Sequence, residues 1–348
     1  MAGYFISSSN FEQFVNRLIS NAVVYAPVIV EDRPRLRKID PSNISSIDLN
    51  SYRTSEPIKS LFLKARENVS NYFGDAKDAD IPAGKKVVFC KSCDIAALVF
   101  EDKFFSDEIN DPFYTGVRDN TIIIGSDCGD AISTCHCTLV DVKPYPEKGF
   151  DLNISKIDDG YMVDVGSDKG QELIDGSRAF FIAATPSQRE KQRGNREDVL
   201  NKVTGINEKY GYRARLEESV KKDLESEGWR KIAKACTECG ACNMACPTCT
   251  CFLLYDEKAE GGYVRGKQWD SCMKAGYARV AGGANARSQL YRRTQNRWQC
   301  KFDYMFDKYN MYACSGCGRC TEACMAKIDL RDVFLELEKQ AALGVKLD

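Results

Sequence analysis

Two short cysteine runs constrain this chain more than any other feature. The first places Cys236, Cys239, Cys242 and Cys246 ahead of Pro247; the second places Cys314, Cys317, Cys320 and Cys324 ahead of Met325. Both read C-x2-C-x2-C-x3-C. That spacing wraps three thiolates around one face of a cubane cluster, while the fourth points away and ligates the partner cluster. Thiolates are soft, anionic donors suited to iron. The crossed sets are therefore Cys236, Cys239, Cys242 and Cys324 for one [4Fe-4S] cluster, and Cys314, Cys317, Cys320 and Cys246 for the other. Gly240, Ala241, Gly316 and Gly318 are small enough to let the loops approach an inorganic core. A zinc ribbon would use two well-separated CxxC pairs, and three cysteines at this spacing cannot all reach disulfide geometry locally.

Composition narrows the setting. The chain has 348 residues with 17 cysteines and a single histidine. One histidine excludes multi-His zinc enzymes and argues against His-based acid–base chemistry. Lys+Arg is 49 against Asp+Glu 50, so the net charge of -1 gives no electrostatic case for nucleic acid. The N-terminus lacks a basic segment followed by an apolar stretch, and no window approaches the length of a membrane span. The expected location is the cytoplasm, where disulfides are disfavoured, and the odd cysteine count agrees. The length suggests about two domains.

The pattern predicts an α+β chain: a mixed α/β domain over 1–185, a charged helical connector over 186–230, and a mostly α-helical dicluster ferredoxin domain over 231–348. Phe11, Phe14, Val15, Leu18 and Ile19 recur at helical spacing behind a candidate cap, Ser9. Val23 to Asp32 and Asn120 to Cys128 read as buried strands, the latter delivering Cys128 at its end. A strand, a tight turn and a helix from Asp94 follow Gly84, and Asp158-Asp159-Gly160 marks a hairpin. In the charged stretch, Leu216, Val220 and Leu224 share a face, and Glu217 and Glu218 precede Lys221 and Lys222 at i,i+4. The last helix is capped by Asp329, buries Leu330, Val333, Phe334, Leu337 and Ala341, and ends at Gly344.

Nine cysteines lie outside the two runs. Cys93, Cys128, Cys135 and Cys137 stand near strand ends and turns and could converge on a third cluster; the alternative is ordinary buried cysteines. Cys249, Cys251 and Cys272 are one ligand short of a closed site, so packing beside the clusters is expected. Cys90 and Cys300 look isolated. His136, between Cys135 and Cys137, reads as a surface residue. Arg287, Arg292, Arg293 and Arg297 form a basic helical patch expected to pair with acids. No Rossmann, Walker or nucleophile-elbow motif is present.

The string from CPTCTCF through QWDSC, RVAGG and QLYRR to CSGCGRC, preceded by FCKSCDIAAL, TIIIGSDC and STCHC, resembles the dicluster electron-transfer subunit of anaerobic sulfite reductase and the β subunit of cytoplasmic sulfhydrogenases. The resemblance runs from about residue 10 to the end. It implies a non-catalytic relay that carries electrons between a partner oxidising NAD(P)H with FAD and a catalytic subunit. That catalytic partner is a sirohaem sulfite reductase in one branch and a NiFe hydrogenase in the other. Cys93, Cys128, Cys135 and Cys137 fall on cysteines of the family pattern, which favours them as ligands of a third [4Fe-4S] cluster. Cys249, Cys251 and Cys272 belong to that pattern too; Cys90 and Cys300 do not. The competing function is a self-contained thiol or heterodisulfide reductase using the extra cysteines.

Overall fold

A computed structural model describes residues 3–72, 84–222, 226–260 and 262–343. The first part of the chain runs β1 (Gly3–Ser7), α1 (Ser8–Ile19), β2 (Val23–Val30), β3 (Arg33–Ile39), β4 (Arg66–Tyr72), β5 (Lys86–Lys91), α2 (Ser92–Glu101), α3 (Pro112–Asp119), β6 (Thr121–Ser126), β7 (Leu152–Ile157), β8 (Gly160–Val165), α4 (Asp168–Gly176), β9 (Ile182–Ala183) and α5 (Pro186–Asn207). All of these except β4 belong to one compact unit, which also takes in residues 315–317.

This unit is built on an eight-stranded sheet in the order β3-β2-β5-β6-β7-β8-β1-β9. The inner strands β2, β5, β6 and β7 are parallel, and antiparallel partners flank them. Parallel strands covered on both faces need continuous apolar runs, and β5, β6 and β7 are buried almost throughout. Phe14, Val24, Phe89, Ile124, Leu152 and Val163 form the core. Helix α1 buries Phe11, Phe14, Val15 and Leu18 as its periodicity predicts, but its cap is Ser7 rather than Ser9. The Ser7 hydroxyl accepts from the Asn10 amide at 3.2 Å, because Ser8 and Ser9 already lie within the first turn. The Asp158-Asp159 hairpin joins β7 and β8 in register.

Helix α5 belongs to this first unit, and the units divide at 207/208, inside the charged 186–230 stretch. The helix lies on the sheet through polar contacts. Gln192 Nε2 donates to Ser155 Oγ at 2.8 Å and Asp164 Oδ2 at 2.9 Å, and Arg196 Nε donates to Asp127 Oδ2 at 2.7 Å.

The second unit continues with α6 (Leu216–Lys222), α7 (Gly228–Ala233), α8 (Ala241–Met244), β10 (Phe252–Ala259), β11 (Gly262–Trp269), α9 (Leu290–Gln299), α10 (Met305–Tyr309), α11 (Arg319–Ala323) and α12 (Leu330–Leu343). It is not wholly helical. Strands β10, β11 and β4 form an antiparallel sheet, in which the buried Lys267 and Glu67 pair at 2.7 Å. Its apolar core joins Trp229 to Trp298 (ring centroids 6.3 Å apart) and Phe302 to Phe334 (4.9 Å). Asp329 holds the start of α12 through the Arg331 amide at 2.9 Å. Ala341 is exposed, its place on the buried face taken by Gln340. Leu224 and Gly344 lie outside the described residues.

Candidate iron–sulfur sites

The sequence duplication is also a backbone duplication. In the first run Glu238 (φ 58°) and Gly240 (φ 73°) are left-handed; at the matching positions of the second run, Gly316 (φ 64°) and Gly318 (φ 73°) are too. Each run then enters a short helix, α8 or α11. Glycine meets no Cβ penalty at 240 and 318. Glu238, the one non-glycine of the four, is tethered by Arg293 Nη2 at 2.6 Å.

In the second unit Cys236, Cys239, Cys242 and Cys324 line one cavity, with Cys320 also on its wall. Met273, Trp298, Ile328 and Leu330 supply apolar walls, and the empty volume is about 560 Å³ including the part open to solvent. Two sulfurs accept backbone amides: Glu238 donates to Cys236 Sγ at 3.5 Å and Ile328 to Cys324 Sγ at 3.4 Å. Burial, with the neighbouring sulfurs of Cys242, Cys324 and Cys239, pushes the Cys236 thiol above its ordinary pKa. Four thiols around a largely apolar hole cannot all ionise without a positive body between them. Among the described residues no three Cys, His, Asp or Glu side chains converge on a single-ion site. Four cysteines lining one cavity are the donor set that a 4Fe-4S cluster takes.

The second crossed set is divided by the packing. Cys246, Cys314 and Cys320 belong to the second unit, while Cys317 belongs with Ser315 and Gly316 to the first. Cys246 is buried and accepts from Lys301 Nζ at 3.2 Å. It is also hydrogen-bonded to Cys249, which lowers the Cys246 pKa and raises that of Cys249. Cys251 and Cys272 pair in the same way. The Cys272 hydrogen bond outweighs burial and takes Cys251 down to about 6, with Tyr277 assisting; Asn243 Nδ2 donates to Cys272 Sγ at 3.2 Å. Cys300 is half-buried, and burial raises its pKa.

The first unit holds the other sequence-predicted quartet around a second cavity. Cys93, Cys128, Cys135 and Cys137 line it together with Tyr52, Arg53, Pro144, Val203, Gly316 and Cys317. Topology explains the convergence, because ligands in open α/β sheets gather beyond the carboxyl ends of parallel strands. Strand β5 leads into Cys93 at the start of α2, and its neighbour β6 leads to Cys128. The STCHC loop is tied down by Asn207 Nδ2 donating to Cys135 O at 2.8 Å and by the His136 amide donating to Gly316 O at 2.8 Å. A Cβ at Gly316 would meet the Cys137 Cα at 2.3 Å, so glycine is required there by close approach as well as by φ. Burial pushes Cys128 up to about 12 and Cys137 higher still. Lys91, 1% exposed, donates to Leu49 O at 2.7 Å and Asp127 O at 2.8 Å beside them. Cys90 is a core residue of β5 and does not line the cavity.

Two expectations are corrected. His136 is 1% exposed, not a surface residue, because its loop docks on Gly316; its Nδ1 lies 2.9 Å from Thr134 O. The arginine patch is not simply paired with acids. Arg293 reaches Glu238, but Arg297 is buried in the field of Cys242, Cys320, Cys249 and Cys246, which raises its pKa against the cost of burial. Lys301 was not among the residues expected at a site. Its signal was its i,i+4 spacing from Arg297 on a face that also carries Trp298 and Phe302.

Residues 235–328, which hold both runs, match the family of 4Fe-4S dicluster domains. Over 336 residues the chain is 30% identical to sulfhydrogenase 2 subunit beta of Pyrococcus furiosus, covering 96% of this chain and 98% of that one. The chain belongs to the sulfhydrogenase β-subunit family. Within that family it is an iron–sulfur electron-transfer subunit, and its dicluster segment carries 4Fe-4S clusters. No helix among the described residues is long and apolar enough to cross a membrane.

Proposed function

We propose that this chain is a cytoplasmic relay of single electrons between an FAD subunit that oxidises NAD(P)H and a catalytic subunit, with no turnover of its own. Three [4Fe-4S] clusters would supply the redox chemistry. Cys236, Cys239, Cys242 and Cys324 hold the first. Cys246, Cys314, Cys317 and Cys320 hold the second, and Cys93, Cys128, Cys135 and Cys137 the third. The observation that carries this reading is that two separate quartets, each named from sequence, ring two separate cavities.

The chain's own residues exclude water and fix the sulfurs. Trp298, Met273 and Leu330 dry the first site. The backbone amides of Glu238 and Ile328 donate to ligand sulfur, which stabilises negative charge there. Cys249 does the same for Cys246, while Cys251 and Cys272 bond to each other. The similarity to a sulfhydrogenase β subunit favours a NiFe hydrogenase over a sirohaem sulfite reductase as catalytic partner.

The test is anaerobic expression of the chain alone. It should accept electrons from dithionite to the capacity of its clusters and then stop. Sustained reduction of sulfite or of a disulfide by reduced viologen would contradict the relay and support a self-contained reductase.

A further inference from the structure

The two clusters of the dicluster segment sit in unequal electrostatic surroundings. The sulfurs of Cys236 and Cys324 accept neutral backbone amides. Cys246 instead accepts from an ammonium. Lys301 is 3% exposed and spends all three of its protons in one closed network, on Cys246 Sγ at 3.2 Å, Thr248 Oγ1 at 3.1 Å and Ala313 O at 2.9 Å. Thr248 Oγ1 itself donates to Ala313 O at 2.6 Å and lies 3.2 Å from Cys246 Sγ. An ammonium has only three donors, so the side chain cannot swing away without leaving a buried partner unmet.

A buried ammonium is costly unless an anion matches it. None of the hydrogen-bond partners of Lys301 is a carboxylate. Ala313 O can only accept, and the Thr248 hydroxyl already donates to it, so Lys301 meets both as a donor and turns its remaining proton to the Cys246 sulfur. Arg297, by contrast, reaches cysteines of both sets. Lys301 is a buried cation hydrogen-bonded to a ligand of one set, where the other set's Cys236 and Cys324 accept neutral amides.

We propose that Lys301 is a positioning residue that raises the reduction potential of the cluster held by Cys246, Cys314, Cys317 and Cys320 above that of its Cys236, Cys239, Cys242 and Cys324 neighbour, so that electrons collect there. Each cluster takes up one electron and no bond forms or breaks; a nearby fixed positive charge stabilises the more negative, reduced form. The proposal rests on the crossed ligand assignment given above.

The experiment is an EPR-monitored redox titration of the full chain. In Lys301→Met one midpoint moves to more negative potential and the others stay, while Lys301→Arg keeps the wild-type value. If Lys301→Met does not fold, Lys301→Gln replaces it: it keeps a donor but not the charge, and must shift where Lys301→Arg does not. Midpoints that stay put in an iron-replete neutral variant, or that all move together, overturn the proposal. So does the loss of about four irons, which would make the lysine an assembly residue. Cys246→Ser with unchanged iron would instead refute the ligand assignment.

Discussion

The N-terminal cavity and the dicluster segment hold their cysteines on different kinds of scaffold. In the first unit the sheet exists for its own reasons. Phe14, Val24, Phe89, Ile124 and Leu152 bury a continuous core, and Cys93 and Cys128 are delivered by the ends of strands that this core already fixes. In the dicluster segment the order is reversed. Helices α8 and α11 are four and five residues long, far below the length at which a helix is stable alone. Their runs turn through left-handed residues to face a hole. The contrast predicts that the sheet of the first unit keeps its fold without metal, whereas the short helices of the two runs depend on what their cysteines bind.

Iron removal gives the largest expected contrast. Under anaerobic chelation, hydrogen exchange should stay slow at the β5 and β6 amides and become fast over 236–246 and 314–324. Equal loss of protection in both regions would break the comparison. Next in size is the sheet core itself. Phe89→Ala should destabilise the first unit by about 3–5 kcal/mol in denaturant unfolding, since it leaves a large cavity in a packed interior. Cys135→Ser should lower iron by about four per chain while the far-ultraviolet circular dichroism stays unchanged; a collapse of secondary structure would show that the first unit also depends on its metal.

The smallest effect concerns Glu56. It accepts from Arg35 Nη1 at 3.1 Å and from the Leu36 amide at 3.2 Å. Burial raises its pKa, but the backbone amides of Glu56 and Leu36, with Arg35, outweigh burial and leave it below its ordinary value. A carboxylate depressed in the folded state contributes stability above its unfolded pKa, here near 4.5, and loses it as pH falls through the folded value. The pair is partly exposed, so solvent screening limits this to about 0.5 kcal/mol. Glu56→Gln should flatten the acid limb of the first unit's stability profile by that amount; an unchanged limb would remove Glu56 from the account.

What could be read in advance follows from range. The cysteine spacings, the β-branched strands and the Asp158-Asp159 hairpin are local signals, and the dicluster quartets came from them; Cys93, Cys128, Cys135 and Cys137 have no such spacing and were favoured as a set only by the family resemblance. Strand β4 was not legible: Arg66–Tyr72 alternates poorly and is paired with a strand some two hundred residues later, Gly262–Trp269. Lys301 was missed because a lysine reads as surface until a buried sulfur is found beside it. His136 was misread for the same reason, since nothing local announces that its loop docks on Gly316.

The most direct test of the account is the iron and acid-labile sulfide content of the anaerobically purified full chain. Three [4Fe-4S] clusters predict about 12 iron and 12 sulfide per chain, falling to about 8 of each in Cys135→Ser. A wild-type value near 8 that Cys135→Ser leaves untouched would contradict the third cluster and leave the N-terminal quartet as packing.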